Sequence, residues 1–323
     1  MSRPLASGAA LGAAFGMAVG AAAFASALTG ALAAVDGARP APAAPGRAAR
    51  ALTPSQDGVL TVFAAASLTE AFGEAGTAFE RRHSGIRVRL SFGGSQQLAA
   101  QLRLGAEADL FASADDRAMA VVRRAGLLAD APAVFARNRL VVITPASNPG
   151  RVERLADLAR PGVKLVLAAD AVPAGRYARE VLDRLSRAPG FDPDFRRRVL
   201  RNLVSEEENV RAVVGKVRLG EADAGIVYRS DLSAAPPGEI RVLEIPDRYN
   251  VVAAYPIARL RGSPRGALAA AFVRFLLSGE GQAVLERHGF LPGDAGAPAQ
   301  RGATSGAAPR AAQRGATSGA ASR

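Results

Sequence analysis

The sequence predicts an α/β protein whose strands lie in mostly parallel sheets flanked by helices. Three observations carry this. The chain has 323 residues, a length that as a soft prior means two domains or two lobes. Hydrophobic residues make up 49% and charged residues 22%, ample for a buried core and inconsistent with wholesale disorder. Short β-branched runs also alternate with stretches of helical periodicity along the body, the pattern of βαβ units.

At the N-terminus, Arg3 is followed by a charge-free run from Pro4 to Val35, rich in Ala, Gly, Leu and Phe. Residues 1–34 read as an export signal with small-residue cleavage candidates at Ala25-Ser26-Ala27 and Ala31-Leu32-Ala33. The run is also long enough for a bilayer span, for which about 20 apolar residues suffice, so an uncleaved membrane anchor is the alternative. Its alanine and glycine content favours cleavage. Residues 35–58 are Pro/Ala-rich and read as a flexible linker.

The body opens with VLTVFAA (59–65), a buried strand, and a helix from Ser67 that sets Leu68, Ala71, Phe72, Ala75 and Phe79 on one face. Ile86–Phe92 is predicted as a strand, Gln96–Leu104 as a helix and Asp109–Ala112 as a short strand. Arg139–Thr144 and Lys164–Ala168 follow as strands, and Ala174–Ser186 as a helix. Glu208–Leu219 turns Val210, Val213, Val214 and Val217 inward as a helix. Gly225–Val227, Arg241–Ile245 and Val251–Ile257 are strands, and Pro264–Leu277 and Gly279–His288 are closing helices. Residues 292–323 are low-complexity, with QRGATSGAA at Gln300–Ala308 and again at Gln313–Ala321. Without apolar periodicity, nothing there offsets the entropy of ordering, and the tail is expected to be disordered.

Composition excludes several kinds of chemistry. With no cysteine, there is no disulfide scaffold, thiolate metal site, cysteine nucleophile or lipidated N-terminal Cys. Two histidines, His83 and His288, are too few for most His-based metal sites or triads. The net charge of +12 invites a nucleic-acid reading. However, Lys164 and Lys216 are the only lysines, and residues 59–291 hold 33 basic against 26 acidic residues, scattered without aromatic interleaving. Stacking platforms and a clustered basic stripe are both missing, so no nucleic-acid partner is expected.

Four strand-to-helix junctions share small residues followed at once by a helix: Ala64-Ala65-Ala66-Ser67, Gly93-Gly94-Ser95, Val172-Pro173-Ala174-Gly175 and Glu208-Asn209-Val210-Arg211. Helix N-termini carry unpaired N–H groups and partial positive charge, which attract anions. Small residues let a ligand approach the backbone. In open α/β sheets, ligands sit at the carboxyl ends of strands. Each junction also has a structural reading: Ser67 with Glu70 forms a capping box, Gly94-Ser95 a turn and N-cap, and Pro173 a first-turn residue. Tyr228 sits just past a short buried strand, where packing alone would suffice. Arg176 and Arg211 are read as solvent-facing, Asp115-Asp116 and Glu206-Glu207-Glu208 as solvated helix starts, and the two histidines as exposed.

The segments AAASLTEAF (64–72), SFGGSQQLAAQL (91–102), GAEADLFASAD (105–115), VPAGRYARE (172–180), EENVRAVV (207–214), GEADAGIVYRSD (220–231) and GQAVLERHGF (281–290) together resemble the periplasmic molybdate-binding proteins of ABC importers. The similarity runs in order through almost the whole body. It implies a two-lobed type II periplasmic-binding-protein fold hinged by two crossings, with lobe 1 at 59–139 plus 248–291 and lobe 2 at 140–247. It further implies a monomeric, non-enzymatic, periplasmic protein without a cofactor. Its ligand would be molybdate or tungstate, delivered to a membrane permease. The ligand-binding residues would be Ser67 and Ser95 through hydroxyl and backbone N–H, Ala174 and Val210 through backbone N–H, and Tyr228 through its phenol, with molybdenum entering only as the bound oxyanion. Another oxyanion, sulfate or thiosulfate, is the alternative. A hydrolase with Ser67 or Ser95 as nucleophile is disfavoured, because neither lies in a G-x-S-x-G elbow.

Overall fold

The computed structural model describes residues 58–294. The proposed export signal or anchor, the linker up to residue 57 and the tail after 294 lie outside the described residues. From the N-terminal side, β1 (Val59–Ala65), α1 (Thr69–Arg82), β2 (Arg87–Gly93), α2 (Ser95–Arg103), β3 (Leu110–Ala112) and α3 (Asp116–Arg124) lead into β4 (Ala133–Pro145). Then come β5 (Leu165–Ala168), α4 (Pro173–Ser186), α5 (Phe195–Arg201), β6 (Leu203–Glu207), α6 (Val210–Arg218), β7 (Ala224–Tyr228) and β8 (Ile240–Glu244). The last elements are β9 (Val252–Arg259), α7 (Gly266–Leu277), α8 (Gly279–Arg287) and β10 (Leu291–Pro292).

The strands form two sheets that share β4. In the first, β2 and β3 flank β1 in parallel, and β9, β4 and β10 continue it antiparallel. In the second, β6 and β7 flank β5 in parallel, while β4 pairs antiparallel with β7 and β8. Parallel pairing thus holds for the three strands in each sheet whose carboxyl ends feed helices, and the shared strand imposes the antiparallel remainder. Period-two alternation covers both faces of the first sheet. Leu60, Val62 and Ala64 face a core with Phe72, Phe79 and Phe272 of α1 and α7, whereas Phe63 and Phe111 face Leu98, Leu102 and Met119 of α2 and α3. The aromatic contact of Phe79 with Phe272, at 5.1 Å and nearly perpendicular, locks α1 against α7.

The chain changes sheets within β4, where Arg139 pairs with Val252 of β9 and Leu140 pairs with Tyr228 of β7. It returns through residues 245–251. One buried side chain ties the two passages together. Asn250 accepts from the Leu140 N–H at 3.0 Å and donates to the Leu140 carbonyl at 2.8 Å, replacing a strand partner where the ladder changes hands. The body also runs past the expected end at 291: Pro292 pairs with Ala136, Gly293 donates to Gln282, and Asp294 is ion-paired to Arg137. No single helix among the described residues is long and apolar enough to cross a membrane.

Helix α5 and strand β6 have no counterpart in the sequence expectations. The Leu203–Glu207 edge strand alternates half-buried and exposed residues, so its acidic face reads as a helix start when only charge is considered. Replacing Asn250 by alanine removes both bonds to a buried peptide group. Chemical denaturation should then show a loss of about 2–4 kcal/mol, since each stranded buried polar group costs about 1–3 kcal/mol.

Candidate functional site

Four strand-to-helix junctions close on one small cavity. Its wall comprises Ala65, Ala66 and Ser67 at the end of β1, Gly93 to Ser95 at the end of β2, and Ala114 after β3. From the second sheet come Val172 to Ala174 at the start of α4, Asn209 and Val210 at the start of α6, and Tyr228 at the end of β7. Ser67, Ser95, Ala174, Val210 and Tyr228, all singled out in the sequence, are therefore brought together. The free volume is about 10 Å³, room for about one water-sized centre and far below the roughly 300–1,000 Å³ of sites for organic ligands.

Local chain chemistry supplies the donors. Asn209 caps α6 by accepting from the Ala212 N–H at 3.1 Å, and the N–H of Val210, first in the helix, precedes any intrahelical acceptor. Pro173 holds the first position of α4 and has no N–H, so Ala174 offers the first donor of that helix. The helix start presses so closely on the end of β5 that a Cβ on Gly175 would lie 2.1 Å from the Ala168 carbonyl oxygen. Only glycine fits there.

The hydroxyls are oriented from behind. Ser95 Oγ accepts from the Ala114 N–H at 3.0 Å, which leaves its own proton to donate. Ser67 Oγ lies 2.9 Å from Tyr255 Oη. The Asn138 amide, its oxygen accepting from the Arg139 N–H, directs its NH₂ to Ser230 Oγ at 2.8 Å and to Tyr255 Oη at 3.4 Å. With Tyr255 accepting there, its own proton can go to Ser67, which leaves the Ser67 proton available for the cavity. Burial pushes the Tyr228 and Tyr255 phenols well above their ordinary pKa, and both stay protonated. Tyr228 is 1% exposed, and its hydroxyl has no hydrogen-bond partner among the described residues. No carboxylate is among the lining residues. The arrangement offers neutral donors from several directions around one compact group, the recognition an oxyanion requires.

Several sequence expectations are corrected. Ser67 and Glu70 form no capping box: a 3₁₀ turn at Ala66–Leu68 delays α1 to Thr69, with no side-chain cap. Ser95 is the first helical residue and Gly94 the N-cap. Arg176 and Arg211 are partly buried and ion-paired rather than solvent-facing. Arg176 donates to Asp115 at 2.5 Å and Arg211 to Glu70 at 2.7 Å. Helix side chains lean toward their own N-terminus, and here those termini face helices of the other sheet, so the guanidinium groups meet carboxylates. Asp115 caps α3 as expected but is buried. Glu206 and Glu207 end β6 rather than starting a helix, paired with Arg179 and Lys216. His288 is only 18% exposed at its side chain and lies 2.8 Å from Glu74, and His83 stacks on Phe79. Neither histidine lines the cavity.

Asn138, Tyr255 and Asp231 were not legible as site residues. Their contacts span 92 to 188 residues of sequence or depend on burial. The one available signal was a phenol amid small apolar residues in VVAAYPIA (251–258), which does not reveal its partner.

Two sheets joined by a shared strand, with helix starts from both converging on a small donor-lined cavity, define a solute-binding protein of the type II periplasmic-binding-protein fold. The chain belongs to the bacterial extracellular solute-binding protein family, whose sequence profile matches residues 60–291. It is 40% identical over 250 residues to the molybdate-binding protein ModA of Mycobacterium tuberculosis, covering 77% of this chain and 87% of that protein. Among solved structures it superposes on the periplasmic molybdate-binding protein of Azotobacter vinelandii with a TM-score of 0.61 at 22% identity, covering 72% of this chain and 98% of that one. The sulfate-binding protein SubI of Mycobacterium tuberculosis gives 0.65 at 18% identity, covering 72% and 86%. The two structures share the fold. The chain is a binding protein, not an enzyme.

Asp231 is fully buried and accepts from the Tyr228 N–H at 2.9 Å. Burial raises its pKa from 3.8 to about 7. The folded state therefore binds more protons than the unfolded one across that window, and this group's contribution to stability falls as pH rises through it, by at most about 1.4 kcal/mol per pH unit. Asp231→Asn should gain stability relative to the parent at pH 8, and thermal melts should show the difference shrinking toward pH 5.

Proposed function

We propose that this chain is the periplasmic binding component of an ABC importer, that it captures molybdate and also tungstate between two lobes, and that it delivers the ion as a monomer to a membrane permease. The 59–139 plus 248–291 lobe would carry Ser67 and Ser95, and the 140–247 lobe would carry Ala174, Val210 and Tyr228. The change of sheet within β4 and the return at residues 245–251 support that division. The relative that is 40% identical is a molybdate-binding protein, and the family is extracellular by description, which supports export.

The observation that carries the reading is the convergence of five neutral donors on one carboxylate-free cavity, with the Tyr228 hydroxyl buried and unpartnered. Dehydrating a dianion is very costly, and several donors must act together. Hydrogen bonds to a charged group contribute about 1.5–3 kcal/mol each, and a helix N-terminus about 0.3–1 kcal/mol more. Donors fixed by backbone set a cavity radius, and a radius can favour the longer metal–oxygen bonds of molybdate over those of sulfate. Sulfate is the second reading, because a donor-only cavity suits any tetrahedral dianion and SubI shares the fold.

Titration calorimetry should show molybdate and tungstate binding far more tightly than sulfate. Sulfate binding as tightly as molybdate would replace the first reading with the second. Ser95→Ala should weaken molybdate binding by about 1–3 kcal/mol through the lost donor. Tyr228→Phe should weaken binding comparably and leave the melting temperature of the ligand-free protein unchanged or higher, because it removes a buried hydroxyl that has no partner.

A further inference from the structure

We infer that the pairs Glu70–Arg211 and Asp115–Arg176 are positioning residues that fasten the donor helices of one lobe to those of the other, so that two ion pairs outside the cavity wall govern how long the anion is held. This inference rests on the two-lobe reading above. Glu70 lies three residues after Ser67, and Arg211 directly follows Val210, so their 2.7 Å contact joins a donor turn of the first sheet to a donor helix of the second. Asp115 follows Ala114, whose N–H holds Ser95 Oγ, and Arg176 lies two residues after Ala174. Their 2.5 Å contact joins the turn that holds Ser95 to the start of the donor helix α4.

A third link has the same placement. Gln97 Nε2 donates to Glu208 Oε2 and Gln96 Nε2 to the Glu208 carbonyl, both at 3.1 Å, directly beside Ser95 on one side and Val210 on the other. Gly94 makes this approach possible, since a Cβ there would sit 2.8 Å from the Glu208 carbonyl oxygen. Every link lies within three residues of a cavity-lining residue on both sides.

The chemistry suits a latch. The Arg176 and Asp115 side chains are 16% and 2% exposed, and those of Arg211 and Glu70 are 29% and 24%. These pairs are shielded more than surface ion pairs, whose worth is small. Asp115 keeps its cap to the Ala118 N–H within its own lobe, so separation of the lobes breaks the link to Arg176 without stranding the carboxylate. A contact that must break before the ligand leaves acts mainly on the dissociation rate.

The test uses the full chain and molybdate, with Arg211→Glu, Glu70→Arg and the double exchange. Each single variant should release molybdate about 5- to 20-fold faster, as expected for a shielded pair turned repulsive. The double exchange should restore most of the parent rate. Single variants that release molybdate at the parent rate, or a double exchange no slower than the singles, would overturn the inference. A second measurement needs no ligand. Because the sequence has no cysteine, spin labels on Leu104→Cys and Leu219→Cys, 88% and 76% exposed and one per lobe, report the interlobe distance alone. Arg211→Glu should shift that distribution to longer distances, and an unshifted distribution would also overturn the latch. Failure of the parent chain to bind molybdate would instead overturn the proposed function, while the label distances still decide the latch.

Discussion

An anion that sheds its hydration shell must meet hydrogen-bond donors where water was, and any acceptor in that shell repels it. Most polar side chains mix donors with acceptors, so the cheapest reliable donors are backbone N–H groups with no partner of their own. The first turn of a helix supplies them. The architecture follows from that requirement. Parallel strands deliver successive helices with their N-termini at the same edge of a sheet, and two such sheets facing one another surround a point from both sides. The small residues at the junctions, Ala65, Ala66, Gly93, Gly94 and Ala174, keep side chains out of the space the ligand needs.

Hydroxyl groups complicate this scheme, because serine and tyrosine can accept as well as donate. The layer behind the wall resolves the ambiguity. Ala114 N–H occupies an acceptor site of Ser95. Tyr255, itself accepting from Asn138, can occupy one of Ser67. Both serines can then offer their own proton on the cavity side. Tyr228 has no such partner, but burial keeps its phenol protonated. The same region pays in stability: Asp231 is buried beneath the Tyr228 turn with one oxygen unpartnered, and its raised pKa records the cost of that placement.

Much of the fold could be read in the sequence because its cause is local. Apolar alternation marks β1, and helical spacing marks α1 and α6. The junction residues were readable as well, since small residues before a helix start mean the same thing wherever they occur. What escaped was set by partners far away in the chain. Arg176 and Arg211 carry no local sign that carboxylates 61 and 141 residues distant will meet them. Ser67 with Glu70 matches a capping pattern, but Tyr255 and Arg211 claim the two side chains first. Strand β6 was hidden because its acidic face lies at a sheet edge, where charge says nothing about secondary structure.

The pairing of those arginines also bears on discrimination. An unpaired guanidinium beside the cavity would attract any anion, and its strength would depend on charge far more than on size. Tied to Asp115 and Glu70, each cation is offset by a carboxylate, so in the proposed reading charge alone would not decide which dianion enters. The decision would then pass to distances between N–H and O–H groups anchored in strand ends and helix starts. Such groups yield little, because moving one means moving an element packed on a sheet. For two ions of equal charge and the same tetrahedral shape, that stiffness is the available basis for preferring one radius over another.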